Sequence, residues 1–212
     1  MSPIRTAYLT AARSAVDLLA DPAVAARWDE PSALPAFGVA GLAGHLASQV
    51  LGAPAVLAAP LPANDPVDLL DHYAQGTWLG APVGATVNVA IRRAGDGLAA
   101  EGPAALVERC VATLRELTGA LAAEPPERVV FLNRGPWSLT LDDYLTTRLM
   151  ELVVHADDLA VSVGVPTPEL PPEAVDPVLT LLARLAVRRH GQPAVLRALS
   201  RAERAPASVA AL

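Results

Sequence analysis

The chain of 212 residues contains no lysine and a single cysteine, and its aromatic residues amount to only 4% of the sequence. A lone thiol, Cys110, cannot close an internal disulfide, so an oxidising compartment offers this chain nothing and the expectation is a cytoplasmic protein. Positive charge is scarce too. Sixteen arginines against 22 acids leave a net charge of −6, opposite to the basic footprint of a protein that grips phosphates, and no nucleic-acid partner is expected. The missing lysine reads as coding bias more than chemistry, although every cation is thereby a planar fork able to bind a carboxylate bidentately. Arg13 and Asp17 interrupt the segment after Met1, so no export signal is expected. The stretch 39–63 has no formal charge, but it carries His45, Gln49, Pro54, Pro60 and several glycines, and no membrane span is expected there.

What the chain does contain is alanine, with leucine and valine, in a composition that is 52% hydrophobic and favours helix over sheet. A chain of this length with positive mean hydropathy can bury a large core, which excludes disorder. Proline and glycine punctuate it into helices expected at about 3–20, 38–58, 66–79, 83–100, 103–123, 139–163 and 173–190. Arg128-Val129-Val130-Phe131-Leu132 has strand character, but nothing nearby offers a convincing sheet. The pattern is an all-α antiparallel bundle, 1–165, followed by a proline-rich break and an arginine-rich helical extension, 166–212. Six arginines face one glutamate between Arg184 and Arg204. That end reads as a solvated helix docked on an acidic bundle, with a basic flap over an anionic thiol or substrate as the alternative.

The 139–163 helix is the most informative. Arg148, Glu151, His155, Asp158 and Ser162 fall within one sector of roughly 80°, while apolar residues from Leu145 to Val161 wrap most of the remaining circumference. Glu151 and His155, at i and i+4, are placed to reach one metal ion. Asp68 and His72 share this spacing, but the acids flanking His72 point to a solvated helix face. A third ligand must come from elsewhere, and His45 is the well-placed candidate, with Gly41 and Gly44 beside it to let another helix approach closely. Two histidines and one glutamate leave a position open, the composition of a catalytic rather than a structural zinc site. Cys110 has no ligand-type neighbours and reads as a core thiol.

These residues carry a resemblance. Trp28-Asp29-Glu30-Pro31-Ser32, running through Phe37-Gly38-Val39 into Gly44-His45-Leu46, resembles the W-x-x-P-S … V-x-x-L-x-x-H-L entry of the mycothiol-dependent maleylpyruvate isomerase N-terminal domain family, a branch of the DinB-like superfamily. Arg148-x-x-Glu151-x-x-x-His155-x-x-Asp158 resembles its second signature. Phe37 stands where relatives often carry a second tryptophan. The resemblance implies a DinB-like antiparallel four-helix bundle with additional short helices, and a divalent metal, zinc by donor type, held by His45, Glu151 and His155. It further implies mycothiol as the thiol cofactor or co-substrate, used as a nucleophile in S-transfer to, or isomerisation of, a small electrophile. Arg148 and Asp158 become candidate catalytic residues: Asp158 to orient His155 or cap a neighbouring backbone, Arg148 to pair with Glu151 or hold a substrate carboxylate. The partners expected are a small-molecule thiol and its electrophile, with no nucleic acid and no membrane, in a monomer or homodimer. A metal-dependent hydrolase using a metal-bound hydroxide, and a non-catalytic bundle, are the alternatives.

Overall fold

The computed structural model describes residues 1–77, 80–132 and 136–212. It is predominantly helical. In chain order the elements are α1 (Pro3–Leu19), α2 (Pro22–Ala26), α3 (Val39–Leu51), α4 (Ala53–Ala58), α5 (Leu69–Gln75), α6 (Thr86–Ala99), α7 (Pro103–Ala123), strands β1 (Val129–Phe131) and β2 (Ser138–Thr140), α8 (Leu141–Val163), α9 (Pro172–His190) and α10 (Gln192–Ser200). Local chemistry sets the ends. Ser2 accepts from the Arg5 amide at 3.3 Å ahead of Pro3, and Thr140 accepts from the Asp143 amide at 3.0 Å to start α8. Gly164, at φ +73°, ends α8 in the left-handed conformation that glycine adopts without penalty.

Several expected boundaries change. The single helix expected at 38–58 is two, α3 and α4, divided at Gly52. The helix expected at 66–79 is confined to Leu69–Gln75, with its expected end at 78–79 outside the described residues. The segment around Val129 does find a sheet partner. β1 pairs antiparallel with β2, Val130 opposite Leu139, so that the first residues expected in the long helix are a strand instead. The short helix α2 was not among those expected, and α10 forms part of the helical extension expected after 166; each is opened by a proline in its first turn.

The core joins α1, α3, α7 and α8. Helix α1 packs on α8, α7 and α3, and α3 packs on α8 and α7, while α9 covers α1 and α8 and adds Ala174, Val178, Leu181 and Leu185 to the same apolar core. Leu145, Leu149, Met150, Leu152 and Leu159 of α8 are buried, whereas Val161, expected on the apolar arc, is 60% exposed. Each fully buried leucine contributes about 1.5–3 kcal/mol relative to an exposed one. The apolar stretch 39–58 is long enough by composition to raise the membrane question, but 61% of its most apolar window is buried inside the protein, the pattern of a core helix.

Two features bind this frame, one polar and one steric. Arg5, 2% exposed, donates to Asp142 Oδ1 (2.9 Å) and to the main-chain carbonyls of Leu121 (3.2 Å), Glu124 (2.7 Å) and Pro125 (2.8 Å). It thus ties the start of α1 to the end of α7 and the start of α8, satisfying carbonyls that a helix C-terminus leaves without partners. The second is the close approach of α3 and α6. A Cβ on Gly44 would run into the main-chain carbonyl of Gly95, and one on Gly95 into that of Gly41. The small residues beside His45 therefore do what the sequence pattern implied.

Gly44→Ala and Gly95→Ala should each lower stability by about 1–3 kcal/mol in urea melts, because backbone has to move. Gly119→Ala, in open space on the exposed side of α7, should raise it by about 0.5–1 kcal/mol. Equal effects at the three positions would show that the α3–α6 contact is not tight.

Candidate metal centre

Glu151 and His155 lie one turn apart on α8, and the imidazole Nε2 of His155 stands 3.1 Å from Glu151 Oε2. His45, 106 positions earlier on α3, brings its own Nε2 to 3.3 Å from the same oxygen. The two imidazole rings meet edge to face with centroids 4.7 Å apart. One ligand-type atom from each of the three residues falls in a group no wider than 4.8 Å. Ligands about 2.0–2.1 Å from a tetrahedral zinc are separated by roughly 3.3 Å, so both nitrogen-to-carboxylate distances suit a shared ion, and the donor set is one zinc accepts.

Asp158 fixes the orientation of His155. The His155 Nδ1–H donates to Asp158 Oδ2 at 2.9 Å, leaving Nε2 as the ring atom facing Glu151. This hydrogen bond is the arrangement that the first of the two roles weighed for Asp158, orienting His155, would need. Burial works against charge on His155, but the hydrogen bonds to Asp158 and Glu151 outweigh it and push the pKa up to about 9. For His45 burial dominates and lowers the pKa, so this ring is neutral at pH 7. Burial also opposes ionisation of Glu151, yet the two imidazoles and the field of Arg148 hold its carboxyl well below the usual range.

Arg148 makes contacts other than the pairing with Glu151 that was one of the roles weighed for it. Its Nη1 donates to Gln49 Oε1 at 2.6 Å and its Nε to Thr147 Oγ1 at 3.1 Å, and its Cζ stands 5.6 Å from the centre of the Tyr144 ring. Its charge reaches Glu151 and His45 through space, and among the described residues no ion pair joins it to Glu151. Phe37 packs its ring 5.9 Å from that of His45. The loop carrying it is fastened to α8 where the Ala33 amide donates to Ser162 Oγ at 2.9 Å, a role for Ser162 that its place on the polar sector only hinted at.

The other expectations divide. Cys110 is fully buried and its thiol is pushed up to about 11 by burial, as befits a core residue. His72, expected on a solvated face, is instead 3% exposed. Asp68 caps α5, accepting from the Leu70 amide at 2.8 Å, and Asp71 points outward, so these acids flank the helix without exposing its inner side. Trp137 Nε1–H donates to His72 Nδ1 at 2.9 Å, a partner 65 positions away that local pattern could not supply. Gln49 was visible only as a polar residue one turn beyond His45.

Against known proteins, the chain matches the family model described as the mycothiol maleylpyruvate isomerase N-terminal domain over residues 9–160. That span contains both motifs and all three residues of the cluster. No curated protein and no solved structure matches. By this match the chain belongs to the mycothiol maleylpyruvate isomerase N-terminal domain family.

Proposed function

We propose that the protein is a metal-dependent enzyme of the DinB-like four-helix type that uses mycothiol as a nucleophile, in S-transfer to or isomerisation of a small electrophilic substrate, in the cytoplasm. The observation that carries this reading is the convergence of His45 and His155 on one carboxylate oxygen, Glu151 Oε2, at 3.3 and 3.1 Å. His45, Glu151 and His155 are the residues that would hold a divalent ion, zinc by donor type, with at least one position left open. Such an ion, when bound, lowers the pKa of a coordinated thiol and makes it nucleophilic near neutral pH.

The chain's own groups prepare that chemistry. His45 is kept neutral by burial and offers an imidazole without a proton to displace. Asp158 holds the His155 ring in one tautomer and strengthens it as a donor ligand. Arg148 contributes a fixed positive charge whose field reaches the centre, where it favours an anionic nucleophile or substrate. The side chains of His45, Glu151 and His155 retain 9%, 21% and 17% exposure, enough to leave the cluster open to small molecules.

Protein purified without added metal should carry a divalent ion by elemental analysis. His155→Ala should lose it and His72→Ala should keep it, since His72 is committed to Trp137. Equal loss in both variants would move the site to the His72 side of the molecule.

Binding should also depend on pH with a definite sign. Below about pH 9 the metal-free site keeps a proton on His155, and metal must displace it. Apparent affinity should therefore rise by about tenfold per pH unit between roughly pH 6 and pH 8, with proton release on binding. Flat affinity across this window would mean that His155 is not a ligand.

Holoprotein should accelerate conjugation of mycothiol to an electrophile such as monochlorobimane, chelation should abolish the acceleration, and an alcohol should not replace the thiol. Metal retention without mycothiol binding in calorimetry would instead favour the metal-dependent hydrolase.

A further inference from the structure

Gln49 lies on α3 one turn after His45, is 1% exposed, and has both ends of its side-chain amide engaged. Its Oε1 accepts from Arg148 Nη1 at 2.6 Å. Its Nε2 donates to the main-chain carbonyl of His45 at 3.0 Å and to Ser48 Oγ at 3.0 Å, and the Ser48 hydroxyl in turn donates to the same carbonyl at 2.6 Å. The amide can sit only this way round. Reversed, its NH₂ would face the guanidinium, a donor only, and its oxygen would face a carbonyl. The backbone under it is held as well, for the fully buried Tyr8 donates its hydroxyl to the Gln49 main-chain carbonyl at 2.9 Å.

We propose that Gln49 is a positioning residue for the centre: its amide joins the guanidinium of Arg148, one turn before Glu151 on α8, to the His45 turn on α3 and so holds a fixed positive charge between those two turns. A long arginine left to itself samples many rotamers, and its charge is spread over the volume it sweeps. Anchored at Nη1 by Gln49, at Nε by Thr147 and against the ring of Tyr144, the guanidinium has one place. A charge that need not reorganise is worth more to an anionic nucleophile than the same charge on a mobile side chain. The same amide grips the carbonyl of His45, so the position of the charge and that of the imidazole-bearing turn are coupled through one side chain. For its catalytic consequence this inference rests on the thiol-using reading above; the clamp itself does not.

The test uses full-length metal-loaded protein with Gln49→Leu, which removes both contacts, and Gln49→Glu, which keeps the acceptor for Arg148. Three quantities are read: metal content, the guanidinium Nε–H resonance of Arg148 by NMR, and the pH profile of mycothiol conjugation to monochlorobimane. In Gln49→Leu metal content should stay near that of the wild type. The Arg148 resonance should lose its protection and move to the position of exposed arginines, kcat should fall by about tenfold, and the pH profile should shift upward. Gln49→Glu should keep the Arg148 resonance ordered and recover part of kcat, and it also serves if the leucine variant folds poorly. An Arg148 resonance unchanged in Gln49→Leu would overturn the clamp. A displaced Arg148 with unchanged kcat and pH profile would overturn its importance to the centre. If wild-type protein shows no thiol conjugation at all, the thiol-using reading fails, and the NMR comparison still decides the clamp.

Discussion

The organisation of this protein turns on a single carboxylate largely, though not wholly, withdrawn from water. Glu151 sits in the middle of α8, a helix whose other inward positions are Leu145, Leu149, Leu152 and Leu159. Withdrawing an ion from water costs several kcal/mol even after relaxation, and partners recover this only when their geometry is good. The partners are assembled from two helices: His155 one turn along, His45 from α3, and the field of Arg148 behind them. A leucine at 151 would serve the fold at least as well, because buried ion pairs are poor sources of stability. The carboxylate makes sense as chemistry. Its position then requires α3 to lie close against α8 with the His45 turn held firmly, and α6 provides the backing. The α3 and α6 backbones meet this closely only because neither Gly44 nor Gly95 carries a side chain.

The readable part of this arrangement was the part with a local period. Glu151 and His155 announce themselves at i and i+4 on an apolar helix, Gly164 and Gly102 mark helix ends, and the small residues near His45 signal a close helix approach before the approaching helix is known. His45 stood out as a candidate by its small neighbours, and the order of two motifs then paired it with Glu151 and His155, since spacing within one helix says nothing about a residue 106 positions away. What escaped were contacts made by distant segments. The β1–β2 pair consists of three-residue strands whose pairing is a tertiary event, and its second strand displaced the expected start of α8. His72 was misplaced for the same reason. Its acidic neighbours describe the outside of α5, while its environment is decided by Trp137.

The lysine-free composition acquires a structural meaning at buried sites, whatever its origin. Arg5 meets three carbonyls and a carboxylate at once, and Arg128 spans the carbonyls of Leu57 and Ala59 while its Nε faces Glu124 at 3.3 Å. A lysine ammonium is a compact point charge on a flexible stem and could not fix several acceptors in one plane. These clamps act at loose ends of the chain, the C-terminus of α7 and the region after α4, where helical carbonyls would otherwise be buried without donors.

Arg148 applies the same fork to a different task. Where Arg5 and Arg128 spend their donors on main-chain carbonyls, Arg148 is held by side chains, Gln49 and Thr147, and rests over an aromatic ring. The arginines of the C-terminal stretch make the contrast plain. Arg188 is half exposed and reaches the Leu70 carbonyl at 3.0 Å, while the others on α9 and α10 lie at the surface, where solvent screens them. A partly buried cation fixed from three directions acts on the groups around it with less loss to the solvent than an exposed one. The titratable groups that its field reaches include His45, Glu151 and the buried hydroxyls of Tyr8 and Tyr73. The overall charge of −6 therefore says little about the centre, where Glu151, Asp158 and His155 act on one another and Arg148, held by one amide, adds its fixed charge.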